Sequence, residues 1–509
     1  MNHNHYDIVV IGGGPAGSTL STLLVRQGYR VLLLEREKFP RFHVGESLLP
    51  TTQRIWEKLG IAEPMQHLGH TFKYAGEFRI GLDPRKSDYE YSTNRFNNIP
   101  RQKLQERPYA YQVERSEFDL FLLNHARQQG VTVYEEATVK EVLWEGEQAT
   151  GIRWRTKEGM EYCTQVECVA DCSGRHALIA RSKKLLTPHP KIKTSAVFGH
   201  FEGVTRDSGI RQGYFNGYFI ENGWFWFIPL SSDIMSVGVV MNEPETNGWS
   251  HRSPEEILLT YINRYQFIRD RFENAEQSSK IRMLRGLPYS SKQTVGNGWI
   301  LVGDANFFVD PLYSSGVHIA FHSAEKAAEA IAIFLQGKRN IKPFKQYAKW
   351  SEKYQFHVFT TMSLLYGMLK DRVAMETYIK LSGKYSNHWN NPILRRVNAW
   401  GTGHFDKFYL ALYSTWIFSF LLITIGKIRK ILGIRGWDTH AEFCSEPPLQ
   451  IPKSAELLQN SQSDQAQSPT PVNDVNYLDR WVVPSDYTDE NSSFTKQSTS
   501  EPVSTTRSS

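Results

Sequence analysis

The run Gly-Gly-Gly-Pro-Ala-Gly at residues 12–17 has the residue types and spacing to hold a diphosphate. Gly12 permits a tight turn, Gly14 lets a pyrophosphate approach the backbone, and Gly17 lets a helix pack closely on the preceding strand. The N-terminus of that helix then offers unpaired N–H groups to the anion. Glu35 ends the next apolar run, Tyr-Arg-Val-Leu-Leu-Leu-Glu, where a carboxylate can accept hydrogen bonds from ribose hydroxyls. A strand before, a helix after and an acid in this place turn a weak glycine pattern into a dinucleotide site. A second stretch, Phe-Val-Asp-Pro-Leu-Tyr-Ser-Ser-Gly-Val-His at 308–318, has few charges and leads into a helical pattern. A tight turn at a helix start exposes backbone N–H groups, and such groups suit a small anion.

These residues need a scaffold. Residues 6–11, the glycine run and the apolar run to Glu35 form a βαβ unit at the start of the chain. Residues 107–186 add a helix and several strands. Residues 187–293 alternate as strands and are rich in aromatics, as in a sheet covering a site. Residues 298–336 return to strand, turn and helix, and 341–432 are mostly helical. The reading is α/β, with a first nucleotide-binding part at 1–186, a β-rich covering region at 187–293, a return segment at 294–340 and a helical region at 341–444. The tail 445–509 is rich in Ser, Gln, Asp, Thr and Pro and reads as mostly disordered, with Tyr-Leu-Asp-Arg-Trp-Val-Val a segment that could dock. The uncharged run 408–426, followed by Lys-Ile-Arg-Lys, is nearly long enough to span a bilayer. It reads best as a buried or partner-binding helix, with peripheral membrane contact through 408–432 and then a true span as the alternatives.

The 509 residues carry a net charge of +6, and no basic stretch is dense enough to argue for nucleic acid. Of four cysteines, Cys163, Cys168 and Cys172 cluster and read as small buried apolar residues, not metal ligands. The low count and the lack of a secretory signal suggest a reducing cytoplasm.

Further motifs separate one dinucleotide from another. Asp-Cys-Ser-Gly-Arg-His from Asp171 and Trp-Ile-Leu-Val-Gly-Asp-Ala ending near Asp304 resemble the later motifs of FAD-dependent hydroxylases. Arg115, in Gln-Val-Glu-Arg-Ser-Glu-Phe-Asp, matches a flavin-contacting position of the same group. The resemblance implies a glutathione-reductase-type FAD-binding fold like that of para-hydroxybenzoate hydroxylase. Three features narrow it. Gly-Trp-Phe-Trp-Phe-Ile-Pro, with Trp224 and Trp226, matches the WxWxIP motif of flavin-dependent halogenases. Phe308, Pro311, Ser314 and Gly316 match their FxxPxxSxG motif. Phe-Pro-Arg-Phe-His-Val-Gly-Glu-Ser-Leu-Leu-Pro resembles the segment after the second strand in the branch acting on phenols and pyrroles.

Membership would assign Gly12, Gly14, Ala16, Gly17, Glu35, Arg36, Glu46, Ser47, Arg115, Asp304 and Gly316 to FAD. It would place chloride or bromide at Ser314, Ser315 and Gly316. Reduced FAD, supplied by a separate flavin reductase, would activate O₂ so that the halide becomes hypohalous acid. The family then holds or carries the halogen on one lysine at the far end of an internal passage, and here the match falls on Lys73. Trp224, Trp226 and Pro311 would shield the substrate from the flavin. Tryptophan halogenases carry Glu where Tyr313 stands, so the resemblance points to a phenol or pyrrole, which activates its own ring. An acyl or peptidyl carrier protein is a candidate bearer of that substrate. The rivals are an aromatic monooxygenase, which would need neither Lys73 nor the tryptophan motif, a geranylgeranyl-type reductase, which shares much of the fold and would suit the apolar C-terminal run, and an FAD-binding scaffold without turnover.

Overall fold

The computed structural model describes residues 5–96 apart from 82–84, 86 and 88, residues 109–385 apart from 244, 338–339 and 370–371, residues 448–454, and positions 424 and 457. The runs Ile8–Ile11 and Val31–Leu34 are apolar throughout, and each of their residues is buried. Runs without polar alternation suit the central strands of a parallel sheet covered on both faces. The sheet they enter has six strands, in the order Val295–Gly296, Trp299–Leu301, Cys168–Asp171, Ile8–Ile11, Val31–Leu34 and Thr132–Tyr134. All neighbours are parallel except the first two. Ile11 pairs with both Asp171 and Leu34, so the glycine loop, the turn after Asp171 and Glu35 all leave one edge together. That carboxyl edge is where open α/β sheets bind ligands. Helices Pro15–Val25 and Ser315–Gln336 share one face, where Leu20 and Leu24 pack in a cluster with Ala324, Ala327 and Ala328. The small antiparallel sheet containing Gln148–Arg155 contributes Ala149, Ile152 and Trp154 to the cluster on the other face.

A second sheet of eight strands stands over that edge. Seven run in the order Glu276–Gln277, Thr194–Glu202, Ile234–Asn242, Gly223–Pro229, Phe215–Ile220, Ala75–Gly81 and Tyr89–Arg95, and Arg282–Leu284 pairs with Thr194–Glu202. Strand period splits Gly223–Pro229 cleanly. Trp224, Trp226 and Ile228 enter the core shared with helices Lys342–Leu369 and Arg372–Tyr385, while Phe225 and Phe227 enter the core behind the sheet.

Three details differ from the sequence reading. Residues 187–293 are not only strands: Pro254–Arg264 and Gln266–Arg269 are helices packed behind the sheet. The overlooked signal was the capping box in which Ser253 and Glu256 exchange side-chain and backbone hydrogen bonds. Cys163 is exposed, because it lies on an outer strand whose neighbours are exposed too; Cys168 and Cys172 are buried. Residues 448–454, assigned to the tail by composition, lie against the body: Gln277 N–H donates to Pro452 O (2.7 Å) and Ser454 N–H to Gln277 O (2.9 Å). The run 408–426 (apart from position 424), its basic flank, Cys444 and the Tyr-Leu-Asp-Arg-Trp-Val-Val segment lie outside the described residues. No helix among the described residues is long and apolar enough to cross a membrane.

Candidate active site

A cavity of about 790 Å³ runs between the two sheets. Gly12, Gly14, Ala16, Glu35 and Arg36 line one end. Glu46, Ser47, Arg115 and Asp304 line the middle. Pro311, Ser314, Gly316, Trp224 and Trp226 line the other end. Gly17, Ser315 and Lys73 are not on its wall.

The glycine end is fixed by backbone sterics. Gly12 has φ +103, and a Cβ there would lie 2.5 Å from Cys172 O. A Cβ on Gly17 would lie 1.9 Å from Gly12 O, so Gly17 acts in packing and not in lining. Gly14 differs: its Cβ would meet only Arg41 Nη2, at 3.6 Å. It is the N-cap of the helix Pro15–Val25, and no side chain caps that terminus. The N–H groups there remain for an anion. Gly13, which sequence reasoning passed over, donates its N–H to Glu35 Oε2 at 2.7 Å, and Glu37 N–H donates to Oε1 at 2.9 Å. Glu35 therefore braces the loop as well as facing the cavity. Arg36 sits at the mouth, over half exposed, beside Glu37.

In the middle, Arg115 opens the helix Arg115–Gln128 and is buried. It makes a two-pronged ion pair with Asp119 (2.8 and 2.9 Å), and its Nη1 donates to Val44 O at 2.6 Å. Asp119 is also held by Arg41 (3.1 Å). Burial opposes its charge, but the Arg115 guanidinium outweighs that and keeps the carboxyl below its ordinary range. The Arg-x-x-x-Asp spacing was visible in the sequence as an i,i+4 pair. Glu46 is buried and pairs with His200 of the second sheet at 2.6 Å. Burial works against a charged imidazole there, but the Glu46 carboxylate prevails and raises its pKa. No sequence signal joined residues 154 positions apart. Ser47 Oγ is buried on the cavity side with no protein partner among the described residues. Burial pushes the Asp304 carboxyl up to about 6, against the pull of Arg175 and Arg115.

At the far end, Asp310 caps the short turn Pro311–Tyr313, and Ser314 follows at φ 56, ψ 28. A non-glycine residue in that left-handed region is strained. Ser314 is also the N-cap of Ser315–Gln336 and spends no side-chain bond on capping. A Cβ on Gly316 would meet only the Phe308 ring, at 3.7 Å, so packing does not demand glycine; open space beside a ligand would. Lys73 lies directly behind this turn. Its strand Thr71–Lys73 pairs with Ala110–Gln112 and sets Lys73 opposite Ala110. Nζ donates to Leu48 O at 2.9 Å and to Ser314 Oγ at 3.4 Å, with the Phe96 and Phe215 rings 5.6 and 5.5 Å away. The side chain is 2% exposed, and burial lowers its pKa to about 7. The amine expected at the far end of a passage is thus in contact with the turn. Tyr313, where an acid was absent, packs edge-on against Phe78 and hydrogen-bonds Tyr378 of the last described helix.

These residues fit FAD. The glycine cradle, the uncapped helix terminus, the orphaned Ser47 hydroxyl and a long cavity ending at a second uncapped helix are what a dinucleotide with a large ring would need. A family model described as tryptophan halogenase matches residues 7–92 and 85–365. A tryptophan 2-halogenase of Chondromyces crocatus is 32% identical, over 73% of this chain and 69% of its own. A 1H-pyrrole-2-carbonyl-[peptidyl-carrier protein] brominase of Pseudoalteromonas luteoviolacea is also 32% identical, over 68% of this chain and 82% of its own. The structure of the flavin-dependent brominase Bmp2 superimposes with a TM-score of 0.71 at 28% identity, covering 84% of this chain and all of that one. The chain thus belongs to the tryptophan-halogenase family, the flavin-dependent halogenases, and is an FAD-dependent enzyme of that family.

Proposed function

We propose that the protein halogenates an electron-rich phenol or pyrrole through Lys73, with chloride or bromide held at Ser314, Ser315 and Gly316. Bound reduced FAD would supply two electrons to O₂ so that halide is oxidised, with the balance ArH + X⁻ + O₂ + FADH₂ + H⁺ → ArX + FAD + 2 H₂O. Gly12, Gly14, Ala16 and the helix after them would hold the pyrophosphate, packed by Gly17. Glu35 would take the ribose, Arg36 the cavity mouth and Asp304 the ribityl chain. Glu46, Ser47 and Arg115 would border the flavin ring. The N–H groups at the left-handed turn can hold a halide without adding a cation that would trap it. Trp224, Trp226 and Pro311 wall this end and keep an aromatic substrate from the ring.

The observation that carries the proposal is the Lys73 amine, buried, aromatic-walled and within reach of Ser314 Oγ. Near pH 7 about half of such amines are neutral. A neutral amine can form a chloramine, R–NH₂ + HOX → R–NHX + H₂O, and regain its hydrogen from the aromatic carbon. A charged amine can instead hold HOX by a hydrogen bond.

Tyr313, with no carboxylate to position an indole, supports a phenol or pyrrole. The likeness to a brominase of a carrier-bound pyrrole supports a tethered substrate. The likeness to a tryptophan 2-halogenase favours free tryptophan as a second reading. Mass spectrometry of the enzyme with FAD, a flavin reductase, bromide, and tryptophan, free phenols or carrier-loaded pyrrole decides between them. Bromination of the phenol or pyrrole is expected. Bromination of tryptophan alone refutes the substrate class, and oxygenated product without halogen refutes the reaction.

A further inference from the structure

Asp310 stands one residue before Pro311, and its carboxyl is 2% exposed. Oδ1 accepts the Leu312 N–H at 3.0 Å, which fixes the start of the turn. Oδ2 accepts the Tyr366 hydroxyl at 2.7 Å and faces Thr194 Oγ1 at 3.4 Å. Tyr366 belongs to the helix Lys342–Leu369 and is itself buried. Its oxygen accepts the Trp224 indole N–H at 3.1 Å. One chain of hydrogen bonds thus runs from Trp224 through Tyr366 to Asp310 and on to the turn. It joins two pieces that both line the cavity, Trp224 and the turn carrying Ser314 and Gly316.

The chain has a direction. Trp224 can only donate, so Tyr366 must use its own proton on Asp310. Removing any link leaves a buried donor or acceptor unmatched, and the two cavity walls lose their common anchor.

We propose that Asp310 and Tyr366 are positioning residues that lock the halide turn to Trp224, so that halide affinity depends on this hydrogen-bond chain. This rests on the turn's assignment as the halide site. Among the described residues no cation touches Asp310, but the Lys73 amine touches Ser314 of the same turn, and burial lowers its pKa to about 7. Strand Thr194–Glu202 offers the carboxyl Thr194, and that strand's His200 is turned to Glu46. The helix offers Tyr366, and the turn's other titratable group, Tyr313, faces Tyr378. Burial pushes the Asp310 carboxyl up to about 7. A charged carboxylate so near an anion site opposes the anion. Halide affinity should therefore fall as pH rises through about 7, and halide binding should take up a proton by linkage.

The test uses FAD-loaded full-length enzyme and bromide. Its readouts are bromide affinity from the flavin difference spectrum between about pH 6 and about pH 8, FAD affinity and melting temperature. Tyr366→Phe should weaken bromide about tenfold, the loss of roughly one hydrogen bond, with FAD affinity little changed. In a Lys73→Met background, which removes the amine that touches Ser314 and also titrates near 7, Asp310→Asn should flatten the remaining pH dependence, and Trp224→Phe in the wild type should reproduce the Tyr366→Phe loss in smaller measure. Unchanged bromide affinity in Tyr366→Phe, or a pH dependence that survives Asp310→Asn in the Lys73→Met background, overturns the proposal. A bromide-soaked crystal of the wild type showing no ion at Ser314–Gly316 overturns the site assignment beneath it instead.

Discussion

The two ends of the cavity are built on different principles. The glycine end is made by what side chains would obstruct: Cβ atoms on Gly12 and Gly17 would strike backbone oxygens at 2.5 and 1.9 Å. Its residues are near neighbours in sequence. The other end, the proposed halide site, is made mostly by buried groups, with Ser314 half-buried. Lys73, Leu48, Ser314, Asp310 and Tyr366 come from four distant stretches, and burial shifts Lys73 and Asp310 alike to about 7. Steric sites fail by clash and are indifferent to pH. Sites made of buried ionisable groups fail by lost protons and lost partners.

That contrast can be broken or sharpened by substitution. The largest effect is expected for Lys73→Ala: halogenated product should fall by about 10³-fold or more, while FAD binding and peroxide release persist. Product mass, flavin titration and a peroxide assay read the three separately, and normal product from this variant removes Lys73 from the mechanism. Next is Gly17→Ala. Its Cβ meets a backbone atom that cannot step aside, so FAD affinity should drop by about 100-fold and the fold should lose about 2–3 kcal/mol. Gly14→Ala is the control at the same end. With only an arginine tip at 3.6 Å to meet, it should leave the melting temperature unchanged, so that any loss of FAD affinity reports the space the pyrophosphate needs and not packing. Equal damage from both variants would mean that the loop is not governed by packing.

A quieter test reads stability against pH. The folded-state pKa of Lys73 lies below its unfolded value of 10.5, at about 7. The unfolded chain therefore binds more protons between those values, and the buried amine destabilises the fold fully below about pH 7 and progressively less toward pH 10. Lys73→Met should raise the melting temperature more at pH 6 than at about pH 9.5. A gain that does not depend on pH would show the amine to be hydrated. The halogenation rate should run the other way if the neutral amine reacts, rising with pH through about 7.

The legibility of the sequence follows the same division. The βαβ unit, the loop and Glu35 could be read because each rests on local rules: an apolar run, a glycine with positive φ, an acid at the end of a strand. Arg115 with Asp119 was half visible as a helical pair. Lys73 could be named only through likeness to a family, since nothing about a lysine between Phe72 and Tyr74 states that it is buried. Glu46 with His200 and Asp310 with Tyr366 had no signal at all, because each pair closes across 154 and 56 residues respectively. The helices after Ser253 were missed for a simpler reason. A capping box was present, but the aromatic residues around it suggested strands.

Ser314 holds its left-handed backbone at a penalty that glycine would escape. Ser314→Gly should therefore make a sturdier protein by about 1 kcal/mol, and one in which the lysine has lost its nearest hydroxyl. A polypeptide shaped only to persist would place glycine there. This one keeps an oxygen 3.4 Å from an amine, and on the proposed reading the discomfort of that residue is what the reactive pair costs the fold.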